Sequence, residues 1–267
     1  SINISYIGFF DFINRLWLPG PLGLWCMNWI LRLMLPSRLR SRSYDVLYTR
    51  SAALLSALLS LRIPVILELH QLPQRNRRLL VRQCNQCTRV ACLTRAIAET
   101  LCSWGVETQR VIVEGDAVNI QEFQGLPSKS EVRTSFSLTT HRTIIGYVGR
   151  LTTLGMEKGV DSILQAVQRD SRLFAFIVGG PLEDIARYQK RALELGLTDG
   201  DVCFAGHLPS KQVPSSLVAC DILAMPFPDL PHYRYNMSPL KMFEYMASGV
   251  PLITSDLPTI REVLNEN

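Results

Sequence analysis

Nine short apolar runs dominate the sequence and set its fold class. Each has five to seven residues and is bounded by glycine, proline or polar residues, as expected for strands that are buried on both faces of a sheet. Amphipathic segments separate the runs, and this alternation predicts right-handed βαβ units in an α/β fold with mostly parallel sheets. The runs cover residues 45–49, 64–69, 89–94, 110–114, 143–149, 173–179, 201–206, 221–226 and 251–255.

Two helices are predicted with particular clarity in the second half of the chain. Four apolar residues there follow the spacing i, i+3, i+4, i+7, which places them on one face of a helix: Val160, Ile163, Leu164 and Val167. A second helix is expected between Pro181 and Gly196, because proline favours helix starts and glycine favours helix ends.

A serine- and threonine-rich stretch at residues 124–142 predicts a linker between two domains. It lacks periodicity, and 267 residues with 47% hydrophobic content suffice for two α/β domains. We therefore predict a partial N-terminal Rossmann-like domain at 1–123, with four strands, and a second Rossmann-like domain at 143–267, with five. Since the chain starts at a serine and stops after a helix-like segment, we expect truncation at both ends and an incomplete second domain.

Positive charge is concentrated in the first part of the chain. Residues 1–110 contain 14 arginines, no lysine and five acidic residues, whereas the remainder has 14 basic and 18 acidic residues. The asymmetry favours an anionic partner surface. No recognition motif accompanies the arginines, so we expect no nucleic-acid partner.

An anionic membrane is the expected partner of this basic region. Tryptophans followed by arginines suit a segment that lies in a membrane interface, although prolines, glycines and an internal arginine argue against a membrane span. A buried core helix is the alternative. The residues concerned are Trp17, Trp25, Trp29, Arg38, Arg40 and Arg42.

Two sequence patterns suggest metal binding, but each has a simpler interpretation. Cys84-x-x-Cys87 with Cys92 lacks a second ligand pair, and seven cysteines in a long chain favour reduced, buried thiols in the cytoplasm. Asp199-Gly200-Asp201 directly precedes a strand and is typical of a turn. We therefore expect no metal site.

The stretch "SPLKMFEYMASG" predicts a helix that begins at a potential anion site. Ser238 is a suitable N-cap and Pro239 suits the first helical position, so that free N–H groups and the helix dipole could hold a phosphate. Glu244, one turn deeper, would then accept hydrogen bonds from sugar hydroxyls. The alternative is an exposed Lys241–Glu244 ion pair on a solvated stripe, with Leu240 facing the core.

A second segment places two cations at the same sheet edge. Gly149 and Arg150 end a predicted strand, and Lys158 lies at the entrance of the next helix. A planar guanidinium and a compact ammonium in a glycine-containing loop suit a diphosphate. Together with the downstream helix N-terminus, they predict one binding site.

These segments together resemble a known family. The motifs "GYVGRL…KGVDSILQAV", "FIVGGP", "VCFAGHLP", "CDILAMPFP" and "SPLKMFEYMASGVPLITSDLPTIREVL" occur in the order and spacing of retaining nucleotide-sugar glycosyltransferases of the GT-B fold, the large family 4 (group 1). The resemblance covers nearly all of 143–267. The first half is similar more loosely, through "PVILELH", "RVACLTRAIAETL" and "VEGDAVNIQEF".

The resemblance implies two Rossmann-like domains facing a cleft and transfer of a sugar from a UDP or GDP sugar, with retention of configuration. The acceptor would be a glycan or a lipid-linked molecule of cell-surface polysaccharide or glycolipid synthesis, handled in the cytoplasm or on the inner face of the membrane. No metal would be needed, because fixed cations and helix dipoles can neutralise the leaving diphosphate.

The resemblance also implies roles for individual residues. Arg150 and Lys158 would grip the diphosphate and stabilise the leaving group, next to Gly149. The amides of Leu240 and Lys241 would also touch the diphosphate, beside Ser238 and Pro239. Glu244 would bind the ribose, and His70 would lie near the reacting sugar.

The sequence departs from the family pattern at two places, which keeps two other functions open. Asn236 stands where the family often has a glutamate; an amide can bind a sugar hydroxyl but carries no charge. The glycine-rich loop under the donor and the first acceptor-domain strands are also absent, which leaves the activity of this stretch of chain open. The alternatives are a non-catalytic nucleotide-sugar-binding or scaffold protein and a sugar-nucleotide epimerase.

Overall fold

Two compact units make up the chain. The computed structural model describes residues 21–40, 43–73, 75–138, 141–153 and 155–264, with 21–28 described by their backbone only. The units are Ser1–Glu114 and Gly115–Asn267. Each contains its own parallel β-sheet and its own buried apolar core.

The first unit is a four-stranded parallel sheet in the order β1-β2-β3-β4. Strand β2 buries every second residue, Val65, Leu67 and Leu69, as the two-residue repeat of a strand requires. Helices connect the strands, so the four predicted strands of this half are confirmed. The elements are α1 (Pro21–Arg40), β1 (Leu47–Thr49), α2 (Leu55–Leu59), β2 (Val65–Leu69), α3 (Arg77–Cys84), β3 (Arg89–Cys92), α4 (Arg95–Ser103) and β4 (Val111–Val113).

Three cysteines of the first unit belong to its core. Cys84, Cys87 and Cys92 are free, buried thiols. Burial raises the pKa of Cys84 to about 12, of Cys87 to about 11 and of Cys92 to about 12. They are therefore protonated, unreactive core residues at neutral pH, as expected from the sequence.

Helix α1 carries exposed apolar side chains. Trp29 and Leu33, one turn apart, are 56% and 61% exposed. Of the predicted interfacial segment, Trp17 and Arg42 lie outside the described residues and Trp25 is described by its backbone only. Within the described part of the chain, no helix is long and apolar enough to cross a membrane.

The second unit is a five-stranded parallel sheet in the order β11-β10-β5-β8-β9, which confirms the remaining five predicted strands. A two-stranded hairpin, β6 and β7, was not predicted, because two residues per strand are too few to show a repeat. The elements are α5 (Lys129–Ser135), β5 (Thr143–Val148), β6 (Thr152–Thr153), β7 (Met156–Glu157), α6 (Val160–Arg169), β8 (Leu173–Val178), α7 (Leu182–Glu194), β9 (Val202–Gly206), α8 (Val213–Val218), β10 (Ile222–Met225), α9 (Pro231–Tyr235), α10 (Leu240–Ala247), β11 (Leu252–Thr254) and α11 (Pro258–Arg261).

The central strands of this sheet are buried on both faces. In β5, Ile144 and Val148 belong to the core on one face, while Ile145 and Tyr147 belong to the core on the other. Helix α6 covers the second face with the four apolar residues of its predicted stripe, which confirms that helix. The arrangement explains the near-continuous apolar runs in the sequence.

The predicted linker is structured and lies inside the second unit. Ser128 and Glu131 form a capping box at the start of α5, and Val132 is buried in the core. Arg133 and Lys129 both pair with Asp221. The division between the units therefore falls at Glu114, before residues 124–142, because these contacts join the stretch to the second sheet.

Candidate functional site

The candidate residues of the second unit lie around the carboxyl ends of β5 and β10. The two strands are neighbours in the sheet. After β5 the chain continues to β8 on one side, and after β10 it continues to β11 on the other side. Such a switch in direction opens a crevice where parallel α/β sheets bind ligands. Gly149 and Arg150 directly follow β5, and Pro226 and Phe227 follow β10.

Helix α10 is fixed against the end of β5 by one tyrosine. The buried Tyr245 hydroxyl donates to the carbonyl of Val148 at 2.9 Å and accepts from its N–H at 2.7 Å. Both polar groups of that residue are thus satisfied by one side chain. The bonds hold α10 beside the end of β5.

The start of α10 differs by one residue from the prediction. Pro239, not Ser238, is the N-cap, and the helix begins at Leu240. The Ser238 hydroxyl accepts a hydrogen bond from the Asp116 N–H at 2.7 Å and so does not cap the helix. The amides of Leu240 and Lys241 belong to the first turn, where N–H groups have no intrahelical partner.

Lys241 is buried, which overturns the alternative of a solvated Lys241–Glu244 pair. Lys241 is only 8% exposed, and none of the ion pairs among the described residues joins it to Glu244. The inward face of α10 consists of Lys241, Met242 and Tyr245, whereas Leu240 is exposed. The expectation that Leu240 faces the core was therefore wrong.

The ammonium of Lys241 lies on aromatic rings. It hydrogen-bonds to the Tyr147 hydroxyl, and it is 3.8 Å from the centre of the Tyr147 ring and 5.6 Å from that of Phe227. Burial, followed by the charge of Lys158, lowers the pKa of Lys241 well below its ordinary value, and Glu244 opposes this only in part. Among the residues that the structure describes, no carboxylate forms an ion pair with Lys241, so burial of this cation is not fully offset.

Lys158 is the second ammonium group at this edge. Its Nζ lies 5.7 Å from the centre of the Phe227 ring, so one aromatic side chain is close to both lysines. Burial, and then the charge of Arg150, lowers the pKa of Lys158. The predicted cations Arg150 and Lys158 are therefore brought close enough to repel each other.

Two glycines at this edge allow close approach, Gly159 to the Pro226 carbonyl and Gly149 to the Lys241 ammonium. Gly159 has φ of +82°, and a Cβ there would lie 1.7 Å from the carbonyl oxygen of Pro226. Gly149 has φ of +137°, and a Cβ there would lie 3.0 Å from Lys241 Nζ. Only glycine fits both requirements of space and conformation.

Three predicted residues of the second unit remain, and two of them, Glu244 and Arg150, are close enough to the lysines for their charges to interact. Glu244 is partly buried, and burial raises its pKa, with Lys241 opposing and Glu122 adding to the rise. Asn236 ends α9, where its N–H donates to the carbonyl of His232 at 3.0 Å. Arg150 is exposed at the rim.

His70 belongs to the first unit, where it follows β2. Its Nε2 contacts the Glu68 carboxylate, and its Nδ1 is 2.9 Å from Arg50 Nη2. The structure therefore groups the second-unit candidates at one sheet edge and places His70 in a separate polar cluster at the carboxyl ends of β1 and β2.

Sequence reasoning missed the aromatic residues whose rings lie next to the two ammonium groups. Both residues lie in motifs that resemble the family, Tyr147 in "GYVGRL" and Phe227 in "CDILAMPFP", but nothing in the sequence showed that their rings would contact a lysine. Tyr245 could have been found, because its i+4 spacing from Lys241 puts both on one helix face. His232 was also missed; burial, and then the charge of Lys158, lowers its pKa, which places it in the same surroundings.

A large cavity lies at the opposite edge of the same sheet. Its volume is about 990 Å³, and Arg142, Phe174, Asp199 and Val202 are among its lining residues. Asp201 pairs with Arg142 at 3.0 Å and accepts from the Thr198 N–H at 2.8 Å, within a turn. The Asp-x-Asp stretch is thus a turn, and this cavity is distinct from the candidate site.

Two family models match the chain. Residues 142–267 match the family described as "Glycosyl transferases group 1", and residues 12–121 match "Glycosyltransferase Family 4". A 2-deoxystreptamine glucosyltransferase from Streptomyces kanamyceticus is 34% identical over 143 residues, which cover 51% of this chain and 36% of that protein. The matches support a glycosyltransferase.

Solved structures share the fold. HepE from Anabaena, in complex with UDP, has a TM-score of 0.69 at 20% identity, covering 88% of this chain and 66% of that one. Sucrose-phosphate synthase from Thermosynechococcus elongatus has a TM-score of 0.70 at 16% identity, covering 92% and 64%. The predicted α/β fold with two Rossmann-like domains of the GT-B class is confirmed, and the chain spans about two thirds of these neighbours.

Proposed function

We propose that the protein transfers a sugar from a nucleoside-diphosphate sugar to an acceptor, with retention of configuration. The observation that carries the proposal is the buried ammonium of Lys241, which no ion pair among the described residues compensates and which lies close to Phe227 and Lys158 at the switch point of the second sheet. An uncompensated buried cation is unfavourable in the free protein, and an anionic ligand would relieve that cost.

A diphosphate suits the charge and spacing of this edge. Lys158 and Lys241 supply compact charges, Arg150 supplies a planar donor at the rim, and the first-turn amides of α10 add fixed partial charge. Bond cleavage leaves negative charge on the departing nucleoside diphosphate, which these groups would stabilise. We therefore propose that these residues bind the donor and assist the departure of the nucleoside diphosphate without a metal ion.

The nucleoside would lie beyond the diphosphate, toward Glu244. The Glu244 carboxylate can accept hydrogen bonds from two ribose hydroxyls. Burial, with the charge of Glu122, raises its pKa because Lys241 opposes the rise only in part. UDP-glucose is the first donor to test, because the HepE fold neighbour was solved with UDP-glucose and the curated relative is a glucosyltransferase.

The test is a turnover assay that distinguishes the possible products. The protein is incubated with UDP-glucose, UDP-galactose or GDP-mannose, with glycan or lipid-linked acceptors and with EDTA, and the products are analysed by mass spectrometry and NMR. We expect the donor bond to break with release of the nucleoside diphosphate, and a new glycosidic bond to the acceptor with the same anomeric configuration, despite the chelator. Activity that EDTA abolishes and magnesium restores would contradict metal independence.

Asn236 favours a second candidate, a non-catalytic nucleotide-sugar-binding protein. A neutral amide stands at this position, where the family that the motifs resemble often has a glutamate. In the same assay, donor binding without transfer or hydrolysis across all donors would support this candidate. A product that is still a nucleotide sugar, with an altered sugar, would instead identify an epimerase.

We further propose that the basic first unit contacts an anionic membrane that carries the acceptor. Trp29 and Leu33 are exposed on α1, and Arg38 and Arg40 lie at its carboxyl end.

Replacing the arginines at 38, 40 and 42 by glutamine should weaken binding to phosphatidylserine vesicles by about 1 kcal/mol per charge. The matched control replaces Arg169, Lys190 and Lys211 of the second unit and should leave vesicle binding unchanged; equal loss in both variants would exclude this surface.

A further inference from the structure

Four polar side chains meet at the carboxyl ends of β1 and β2. Tyr48 and Arg50 come from the first strand and its end, and Glu68 and His70 from the second. The Tyr48 hydroxyl donates to Glu68 Oε2, and His70 Nε2 contacts Glu68 Oε1. Arg50 Nη2 lies 2.9 Å from His70 Nδ1, and its Nε lies 3.5 Å from Glu68 Oε1.

The contact with Arg50 fixes the proton of the imidazole. A guanidinium has only donors, so Nδ1 of His70 must accept through its lone pair. A neutral imidazole then carries its proton on Nε2, which donates to Glu68. Both ring nitrogens are thereby engaged within the cluster, and neither offers a lone pair to a substrate.

Glu68 and Tyr48 have the protonation states that these hydrogen bonds require. Burial acts to raise the pKa of Glu68, but hydrogen bonds from Tyr48 and His70 and the charge of Arg50 outweigh it and lower the pKa below its ordinary value. Burial and the bond to Glu68 raise the pKa of Tyr48 to about 12. At neutral pH the carboxylate therefore accepts and the phenol donates.

Two members of the cluster reach solvent, Tyr48 and Arg50, but the Tyr48 hydroxyl, in a residue that is 59% exposed, already donates its proton to Glu68. The Arg50 side chain is 63% exposed, compared with 16% for Glu68 and 31% for His70. Arg50 Nε and Nη2 make the contacts with Glu68 and His70, and no hydrogen bond or ion pair among the described residues engages its Nη1. Because Glu68 offsets the guanidinium charge, the remaining N–H groups suit the neutral oxygens of a sugar.

We propose that His70 is a fixed bridge in the Nε2–H tautomer between Glu68 and Arg50, and that Arg50 is the residue of this cluster that contacts the sugar-bearing substrate. The identity of the substrate rests on the proposed function, whereas the bridge does not. Glu68 and His70 are then positioning residues that act through the guanidinium.

NMR tests the bridge without any turnover. The chain has four histidines, so ¹⁵N-histidine labelling gives few signals, and the His70→Gln spectrum identifies those of His70. At about pH 7.5 we expect a protonated Nε2 and an unprotonated Nδ1, and a mixture of tautomers in Glu68→Gln. The signals of His207, which lies in the other unit, serve as the control. An Nδ1–H tautomer or a freely exchanging ring in the wild-type chain would overturn the bridge.

Kinetics test the role of Arg50 and separate the two hypotheses. Loss of a hydrogen bond from a charged donor should lower kcat/KM by roughly tenfold or more in Arg50→Ala and in His70→Ala. His70→Gln should recover most of that loss, because an amide can both accept from Arg50 and donate to Glu68. If the glutamine variant is as impaired as the alanine variant, the imidazole acts directly and the proposal is wrong. A wild-type chain that shows the Nε2–H tautomer but no transfer would refute the proposed function alone.

Discussion

Replacing Lys241 by methionine should abolish tight binding of UDP and, at the same time, stabilise the fold. Truncating a buried charge that faces an opposite charge costs about 2–4 kcal/mol of binding, or roughly 30- to 1000-fold in Kd. Methionine fits the apolar surroundings formed by Tyr147 and Phe227, which now lie 3.8 and 5.6 Å from the ammonium. The Tyr147 hydroxyl keeps its bond to the Arg150 carbonyl at 2.7 Å, so no polar group is stranded.

The sign of the stability change follows from the lowered pKa of Lys241. Below the unfolded-state pKa of about 10.4, the unfolded chain binds the proton more tightly, so the lysine destabilises the folded state at pH 7. Removing it should raise the free energy of unfolding by roughly 0.5–2 kcal/mol, and the gain should shrink as the pH approaches 10.

Isothermal titration and urea unfolding at pH 7 and 9.5 measure the two effects of this substitution. Lys190→Met on the exposed face of α7 is the control, with no change expected in the Kd for UDP. Unchanged UDP affinity in the Lys241 variant would remove this residue from the donor site. A large loss of stability would mean that the ammonium has a partner that offsets its burial.

Replacing Gly159 by alanine should strongly destabilise the second unit and impair donor binding. The new Cβ would lie 1.7 Å from the Pro226 carbonyl oxygen, and the backbone has φ of +82°. Strain and displacement together should cost about 3–5 kcal/mol. Relief of the clash would displace Pro226. Because Phe227 follows Pro226 and lies near both lysines, this displacement would also disturb the positions of the two cations.

Gly196→Ala separates the clash from the backbone strain. Gly196 has φ of +76°, but a Cβ there would have nothing within 4 Å. It should therefore cost only about 1–2 kcal/mol, the penalty of a left-handed conformation. Urea unfolding of both variants gives the comparison, and equal losses would show that the approach of Pro226 contributes nothing.

Local patterns were enough to predict the strands and the site's position in the fold. Apolar runs marked all nine strands of the two large sheets, and the spacing from Val160 to Val167 marked the buried face of α6. Gly149 and the charge of Arg150 predicted where β5 ends, and Pro239 predicted where α10 begins to within one residue. A parallel sheet then requires that these strand ends share one edge.

Contacts between distant segments could not be predicted in the same way. The alternative interpretation placed Lys241 at the surface in a solvated pair with Glu244, and lysines are indeed rarely buried. Its burial depends on Tyr147, which lies 94 residues earlier in the chain. Ser238 seemed a helix cap until the folded chain placed the Asp116 amide beside it. Helix α5 was the exception, because its capping box, Ser128 and Glu131, was legible in a stretch assigned to a linker.

A crystal structure of the protein with UDP bound tests the central claim most directly. We expect the diphosphate beside Lys158, Lys241 and the amide of Leu240, with the ribose hydroxyls within hydrogen-bond distance of Glu244. A nucleotide bound elsewhere, for example in the cavity lined by Phe174 and Val202 at the opposite sheet edge, would contradict the assignment of the donor site.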